Sequence, residues 1–210
     1  KFVYQPGAIM CNLFLADEIN RTSPKTQSAL LEVMEENAVT VDGVTRPVPS
    51  PFVVIATENP VGYTGTQMLP ESQLDRFQVC VVMGYPSHDD EITILKKQSL
   101  RGPLQSVRPV TNRQELLDMQ AQVRQMVVSD PIYQYIVNLC AETRHHPGIE
   151  LGLSPRGTLA LASIARANAY VCGRKYVIPK DVSDMFPYIA VHRLRLSSEA
   201  KMNRWKAEDI

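Results

Sequence analysis

The chain has 210 residues, 44% of them hydrophobic, and its 22 basic residues balance 22 acidic ones. This length provides for one domain with a good core or for two small ones. The zero net charge gives no electrostatic footprint for DNA or RNA, and no apolar stretch approaches the roughly 20 residues of a membrane span. Because no signal peptide is visible either, we expect a cytoplasmic protein.

The cysteines and histidines give no sign of a metal site. The cysteines lie in apolar surroundings without C-x-x-C spacing, which predicts small core residues in a reducing compartment. They are Cys11, Cys80, Cys140 and Cys172. The neighbouring His145 and His146 diverge by about 100° on a helix, so we expect a solvated helix end there.

The segment 13–16 is apolar and is followed by two adjacent carboxylates, Asp17 and Glu18. It predicts a buried strand of a parallel, nucleotide-binding sheet, because ligands of such sheets lie outside the carboxyl ends of the strands. As a Walker B element, it would use Asp17 to hold Mg²⁺ through water. Glu18 would orient and deprotonate the water that attacks the γ-phosphate of ATP. The alternative is a solvated Asp-Glu pair at a strand end.

A helix is predicted next. It begins after Pro24, ends near Asn37, and carries Ala29, Leu30 and Val33 at the spacing of one buried face.

A hairpin and a second strand follow. Asp42-Gly43 lies between two short β-type runs and predicts a small hairpin. The apolar run 52–57 predicts the strand beside the first, so that Asn59 stands at the same edge of the sheet. Its side-chain amide could hold the attacking water or contact the γ-phosphate, the role called sensor 1. The alternative is a plain turn, since Asn before Pro is a strong loop signal.

Arg76 precedes another apolar run, 77–83, which predicts a further strand. We expect Arg76 to be an arginine finger, because a guanidinium presents a permanent charge and a planar fork that suit phosphate oxygens. The alternative is an exposed arginine paired with Asp75.

Arg156 follows Ser154 and Pro155, which predict the N-cap and the first position of a long helix. Arg156 would therefore lie beside a helix N-terminus, where an anion is favoured. The alternative is an ordinary capped helix start without a ligand.

The composition changes after about residue 86, where helical patterns replace alternating strands and helices. Ser87 is a predicted cap, Thr111 or Asn112 caps a further helix, and Asp130 begins another. We expect residues 1–86 to form the C-terminal portion of an α/β core, 87–110 a connecting helix and linker, and 111–210 a helical lid.

These motifs, in this order and spacing, resemble the MoxR family of AAA+ ATPases over nearly the whole chain. The matching residues are Asn12 to Arg21, Pro24 to Glu32, Ala56 to Pro60, Leu69 to Glu71, Gln73 to Phe77, and Ser154 to Arg156.

The resemblance implies an α/β fold, a partial P-loop NTPase core with a parallel sheet, followed by an all-α lid. It implies ATP and Mg²⁺ as cofactors, with Asp17 serving Mg²⁺ and Glu18 the water. Asn59 would contact the γ-phosphate, Arg76 a neighbouring subunit's γ-phosphate, and Arg156 the phosphate through the lid, in its own subunit or across the interface.

The resemblance also implies a homo-oligomeric ring, usually a hexamer, that remodels or activates client proteins in the manner of a chaperone. Clients of such proteins often carry a von Willebrand factor A domain. No nucleic-acid partner and no membrane span are expected.

One departure from the family concerns the phosphate loop. No G-x-x-x-x-G-K-[ST] motif occurs in the 210 residues, and the dipeptide Gly-Lys is absent. That loop cradles the phosphates in P-loop ATPases. We therefore expect the chain to start inside an ATPase domain, to carry the second half of an ATP site, and to be inactive by itself.

Two other functions stay open. A nucleic-acid motor of a related AAA+ branch would favour a basic hairpin at 38–48, where Arg46 is the one basic residue. A catalytically silent module could use the lid and half-core to dock a partner.

Overall fold

The computed structural model describes residues 4–59, 68–98 and 107–207. In these ranges the strands are β1 Leu13–Ala16, β2 Ala38–Val41, β3 Val44–Pro47, β4 Val53–Ala56, β5 Ile149–Leu151 and β6 Arg195–Leu196. The helices are α1 Pro24–Glu36, α2 Glu71–Leu74, α3 His88–Gln98, α4 Arg113–Arg124, α5 Asp130–His145, α6 Pro155–Val171, α7 Pro179–Ala190 and α8 Ser198–Met202. None of the described helices is both long and apolar enough to cross a membrane.

The predicted neighbouring strands pair as expected. β1 and β4 run parallel in a register that places Leu13 beside Val53 and Ala16 beside Ala56. The prediction that β1 is buried is wrong, since Leu13 and Leu15 are 60% and 61% exposed. Within the described residues this sheet has only two strands, so much of its surface lies open. The pairing nevertheless brings the carboxyl ends of both strands to one edge.

Helix α1 begins and ends where the sequence predicts. The Ser23 hydroxyl caps it by accepting from the Thr26 N–H, and Asn37 ends it in the left-handed conformation with φ 52°. The predicted buried face is wrong in part, because Gln27 and Leu31 are buried while Ala29 is exposed. The reason is a hydrogen bond, because the Gln27 side-chain amide donates to the Ile19 carbonyl at 3.1 Å. This contact turns the Gln27 side of the helix toward the interior.

The predicted hairpin is confirmed. β2 and β3 pair antiparallel with Val41 opposite Val44, and Asp42 and Gly43 have φ values of 52° and 73°. Two positive φ angles in a two-residue connection define a type I′ turn, whose twist matches that of the strands.

The predicted strand 77–83 is wrong. These residues form no ladder with any other described segment, although the Cys80 N–H donates to the Tyr188 carbonyl at 2.9 Å. A strand exists only when its backbone groups pair along a neighbour, and here Val81, Val82 and Met83 are exposed. The segment 77–83 is apolar but is not a strand of the β1–β4 sheet.

The lid packs α5, α6 and α7 around one apolar cluster, in which Cys140 of α5 lies fully buried, and α4 lies against α6. Asn112 begins α4 with a complete capping box to Glu115, as its sequence suggests. The expectation of an all-α lid needs one correction, because β5 and β6 pair antiparallel beside α5. Three- and two-residue strands leave almost no periodic signal in a sequence.

The cysteines are less uniform than predicted. Cys140 is buried, but Cys172 is exposed because it follows the last turn of α6. His145 is the last residue of α5 and is exposed, which confirms the expected helix end.

Candidate functional site

Asp17, Glu18 and Thr57 meet at the carboxyl ends of β1 and β4. The Thr57 hydroxyl donates to Asp17 Oδ1 at 2.5 Å, and its oxygen accepts from the Glu18 N–H at 2.8 Å. One hydroxyl therefore fixes both the carboxylate of Asp17 and the backbone of Glu18. Thr57 closes the predicted strand, but nothing in the sequence pattern assigned it this role.

Glu18 has an unusual backbone. Its φ of 49° and ψ of 51° place it in the left-handed region, which costs a residue with a side chain roughly 1–2 kcal/mol. The Glu18 carboxylate lies 3.1 Å from Nε of Arg21, and both side chains are partly exposed. Outliers of this kind cluster at functional sites, and this one turns the chain sharply just after the strand.

Asn59 lies at the same edge. Its carbonyl accepts from the side-chain amide of Asn20 at 3.2 Å, and Asn20 is 1% exposed. Among the described residues, Oδ1 of Asn20 has no hydrogen-bond partner. Asn20 therefore ties the segment after β1 to the segment after β4, and the structure brings Asp17, Glu18 and Asn59 to one side of the sheet.

A second polar cluster joins Arg76 and Arg156. Both guanidinium groups bind the carboxylate of Glu35, Arg76 through Oε2 and Arg156 through Oε1. Arg156 is the second residue of α6, whose N-cap Ser154 accepts from the Gly157 N–H, as predicted. The alternative partner of Arg76, Asp75, bonds instead to Arg193.

Asp75 links this cluster to the lid. Its Oδ1 accepts from Nε of Arg193 at 2.7 Å, and its Oδ2 accepts from the Ser154 hydroxyl at 2.8 Å. Arg193 is 6% exposed. Asp75, which precedes Arg76, is thus bonded to Ser154, two residues before Arg156, so the segments that carry the two arginines are joined.

His192 lies in the same joint. Its Nε2 is 3.1 Å from the Phe77 carbonyl and 2.8 Å from Nη1 of Arg193. Burial, with the Arg193 charge as the second cause, lowers the pKa of His192 to about 4. The ring is therefore neutral at pH 7, and a proton on it would stand beside a buried guanidinium.

The two clusters lie at opposite ends of α1. Gln27 in its first turns bonds to Ile19, the residue after Glu18, whereas Glu35 occupies its last turn. Gln27 and Glu35 are two turns apart in α1, which is about 12 Å along the helix axis. The strand edge and the arginine cluster therefore contact α1 at positions about two turns apart.

Each cluster fits a different part of Mg-ATP. The strand edge offers the Asp17 carboxylate and the Thr57 hydroxyl, bonded to each other, and Mg²⁺ prefers hard oxygens and binds through one or two carboxylates plus phosphates. No group of three or more His, Cys, Asp or Glu in the described ranges could hold a metal by itself. The arginine cluster already holds a carboxylate between two guanidinium groups, as a phosphate would require.

Comparison with known proteins gives a family for this geometry. Residues 1–79 match the ATPase family associated with various cellular activities, and residues 141–210 match the AAA lid domain. The chain is 49% identical over its full length to YeaC, an uncharacterized protein of Bacillus subtilis. It is 38% identical over 95% of its length to Chaperone MoxR1 of Mycobacterium tuberculosis.

The chain belongs to the MoxR family of AAA+ ATPases. A crystal structure of a presumed ATPase from Cytophaga hutchinsonii supports the fold, with a TM-score of 0.91, 31% identity and coverage of 97% of this chain. The chain spans 66% of YeaC, 55% of MoxR1 and 64% of the Cytophaga chain. In this MoxR-family chain the strand-edge residues and Arg76 fall in the part matched as ATPase, and Arg156 falls in the part matched as lid.

Two features of the site were not predicted from the sequence. Glu35 lies in the last turn of α1 beside Glu36, and one of two adjacent glutamates at a helix end carries no signal of a special role. Arg193 follows the last turn of α7 and looks like any basic residue near a helix end. Their importance depends on contacts between residues far apart in the chain. Glu35 binds Arg156 across 121 positions, and Arg193 binds Asp75 across 118.

Proposed function

We propose that this chain supplies part of a Mg²⁺-dependent ATPase whose turnover remodels or activates partner proteins. The observation that carries the proposal is the separation of two complementary clusters across α1. One end presents the Asp17 carboxylate and the Thr57 hydroxyl, and the other presents two arginines. In a ring of copies, the carboxylate end of one subunit would face the arginine end of the next.

Each of these residues would have its own role in ATP hydrolysis. Asp17 would hold the metal through water, and Glu18 would accept the proton of the attacking water. Asn59 would orient that water or bind the γ-phosphate. Arg76 and Arg156 would come from the neighbouring subunit and stabilise the charge that develops on the transferred phosphoryl group.

Mg²⁺, when bound, would neutralise charge on the β- and γ-phosphates. The 210 residues contain no Gly-Lys dipeptide, so a phosphate loop must come from outside them. We expect the 210 residues alone to show no measurable ATPase activity, and all kinetic experiments below use a longer protein that carries this chain together with such a loop.

The proposed partners rest on the resemblance to the MoxR family. MoxR1 is named a chaperone, and we propose a similar action on client proteins, including ones with a von Willebrand factor A domain, by a cytoplasmic hexameric ring. The hairpin is a poor nucleic-acid contact, because the Arg46 guanidinium lies 3.9 Å from the centre of the Tyr4 ring. Arg46 also donates to the carbonyls of Val41 and Val44.

The test mixes two inactive variants of the longer protein. Arg76→Ala should bind ATP normally and lose roughly 10³- to 10⁵-fold in rate, the usual effect of losing an arginine finger. Glu18→Gln should bind ATP and also fail to turn over, because an amide cannot accept the proton.

Mixed rings should recover part of the activity, since some interfaces pair an intact Glu18 with a neighbour's intact Arg76. The measurement is steady-state phosphate release after subunit exchange, with exchange verified by a fluorescent label. Mixtures that stay inactive despite exchange, or normal hydrolysis by Arg76→Ala, would overturn the proposal.

A further inference from the structure

Glu35 forms ion pairs with both proposed phosphate-binding arginines. Its Oε2 binds Nη1 of Arg76, and its Oε1 binds Nη2 of Arg156. The three residues come from the last turn of α1, the segment after α2 and the first turn of α6. One carboxylate therefore joins three separate elements at a single point.

We propose that Glu35 is a positioning residue that holds Arg76 and Arg156 side by side as one clamp for a neighbouring subunit's phosphate. This inference rests on the function proposed above. It assigns Arg156 to the same side of the subunit as Arg76, and so to action across the interface.

Electrostatics explains why such a residue is needed. Two guanidinium groups repel each other, and an acid between them offsets one of the two charges. The cluster keeps a net positive charge for an incoming anion. Each guanidinium has five N–H donors, and the described side-chain contacts of Arg76 and Arg156 are those to Glu35. Most donors therefore stay available.

Exposure agrees with a surface that receives a ligand. The side chains of Arg76 and Glu35 are 31% and 37% exposed, and that of Arg156 is 47% exposed. The Arg193–Asp75 pair differs, because the Arg193 side chain is only 2% exposed and is closed to a ligand.

The backbone joint is independent of Glu35. Ser154 and Asp75 are bonded to each other, and Arg193 binds Asp75, so the chain around both arginines is fixed without the α1 carboxylate. Loss of Glu35 should therefore release two side chains and leave the fold intact. The expected effect falls on turnover, not on assembly.

The experiment replaces Glu35 in the longer protein. Glu35→Gln should lower kcat roughly 10- to 100-fold, the usual effect of removing a residue that orients a functional group, with little change in KM for ATP. Glu35→Asp keeps the charge on a shorter stem and should recover part of the rate. Glu36→Gln is the matched control, since it makes the same change one residue later, at a carboxylate outside the ion pairs of Glu35, and it should match the parent.

Subunit mixing shows which face of the subunit Glu35→Gln impairs, because a general folding defect would not be rescued by one variant and left unrescued by the other. Glu35→Gln should be rescued by mixing with Glu18→Gln, because the partner then supplies an intact clamp. It should not be rescued by Arg76→Ala, since both variants are defective on the same face.

A readout without nucleotide completes the test. Glu35→Gln combined with Arg156→Gln should lower the melting temperature by less than the sum of the single changes, because the second removes a contact that the first has already lost. Glu36→Gln combined with Arg156→Gln should be additive.

The outcomes separate the two proposals. If Arg76→Ala and Glu18→Gln fail to complement each other, the proposed function itself is wrong. If Arg76→Ala and Glu18→Gln do complement each other, three results would each overturn the role of Glu35. They are full activity of Glu35→Gln, rescue of Glu35→Gln by Arg76→Ala, and changes in melting temperature that add up for Glu35→Gln and Arg156→Gln. Rescue by Glu18→Gln alone, with non-additive melting, supports it.

Discussion

Arg193 and Asp75 lie 118 residues apart in the chain, and Nε of Arg193 donates to Oδ1 of Asp75 at 2.7 Å. Arg193 also donates to the carbonyls of Asp75, Phe77 and Ile189 at 3.0, 2.6 and 2.8 Å. A single side chain from the lid thus holds the segment that carries Arg76. The position of the lid and the position of Arg76 are set by the same contacts.

Asp75→Asn should weaken this joint. It leaves a buried guanidinium without its counter-charge, and because the Asp75 side chain is 23% exposed we expect a loss of about 2–3 kcal/mol, somewhat below the cost of breaking a fully buried pair. Urea unfolding measures it. The control is Glu71→Gln, which removes an exposed partner of Arg195 and should cost less than about 1 kcal/mol. Equal losses for the two variants would show that the Asp75 pair is an ordinary surface contact.

Thr57→Val should impair turnover in the longer protein. Valine keeps the shape of threonine but cannot donate to Asp17 or accept from the Glu18 N–H, so both residues lose their orientation. We expect a fall in kcat of roughly 10- to 100-fold, measured by phosphate release. Thr57→Ser retains the hydroxyl and should stay within a few-fold of the parent. If valine and serine behave alike, the hydroxyl has no role.

Lowering the pH should destabilise the joint through His192. The pKa of His192 is about 4 in the folded chain against an ordinary 6.5, so between these values the unfolded chain binds more protons. The contribution of neutral His192 to the free energy of unfolding is complete above pH 6.5. It falls by up to about 3 kcal/mol as the pH is lowered toward 4. The pKa of Asp181 is lowered by Arg174, so its contribution is lost only at lower pH.

The measurement is urea unfolding at several pH values between 4 and 7. His192→Gln should remove most of the slope in that window. His88→Gln changes a histidine whose side chain is 87% exposed and should leave the slope as it is. A slope that survives His192→Gln would assign the pH dependence to another group.

Gly152→Ala should disturb the start of α6. A Cβ at Gly152 would lie 2.6 Å from the backbone carbonyl of Thr143, and backbone cannot move aside as a flexible side chain can. We expect a loss of about 2–3 kcal/mol from the forced shift, seen as a lower midpoint in urea unfolding. Gly84→Ala meets nothing within 4 Å and should be close to neutral. A neutral Gly152→Ala would show that β5 can shift without cost.

The sequence predicts the local parts of this fold well. The ends of α1, the hairpin at Asp42-Gly43 and the caps Asn112 and Ser154 rest on hydrogen bonds within a few residues, and such bonds leave fixed residue types at fixed spacing. The positions of β1 and β4 are also predicted, because their apolar runs end in polar residues.

The errors concern relations over longer distances. The run 77–83 has the composition of a strand, but its state depends on a neighbour that composition does not report. The rotation of α1 is set by Gln27 reaching Ile19, which no apolar spacing indicates. Arg76 binds Glu35 instead of the adjacent Asp75, because Arg193 and Ser154 already occupy Asp75.

Glu18 has a left-handed backbone, with φ of 49°, and this has a consequence for variant screens. Asparagine adopts that conformation more readily than glutamate does. Glu18→Asn should therefore fold at least as well as the parent while losing the carboxylate that the proposed hydrolysis needs. A library ranked by expression or heat resistance alone would enrich for such inactive chains, so selection at this position must be made on turnover.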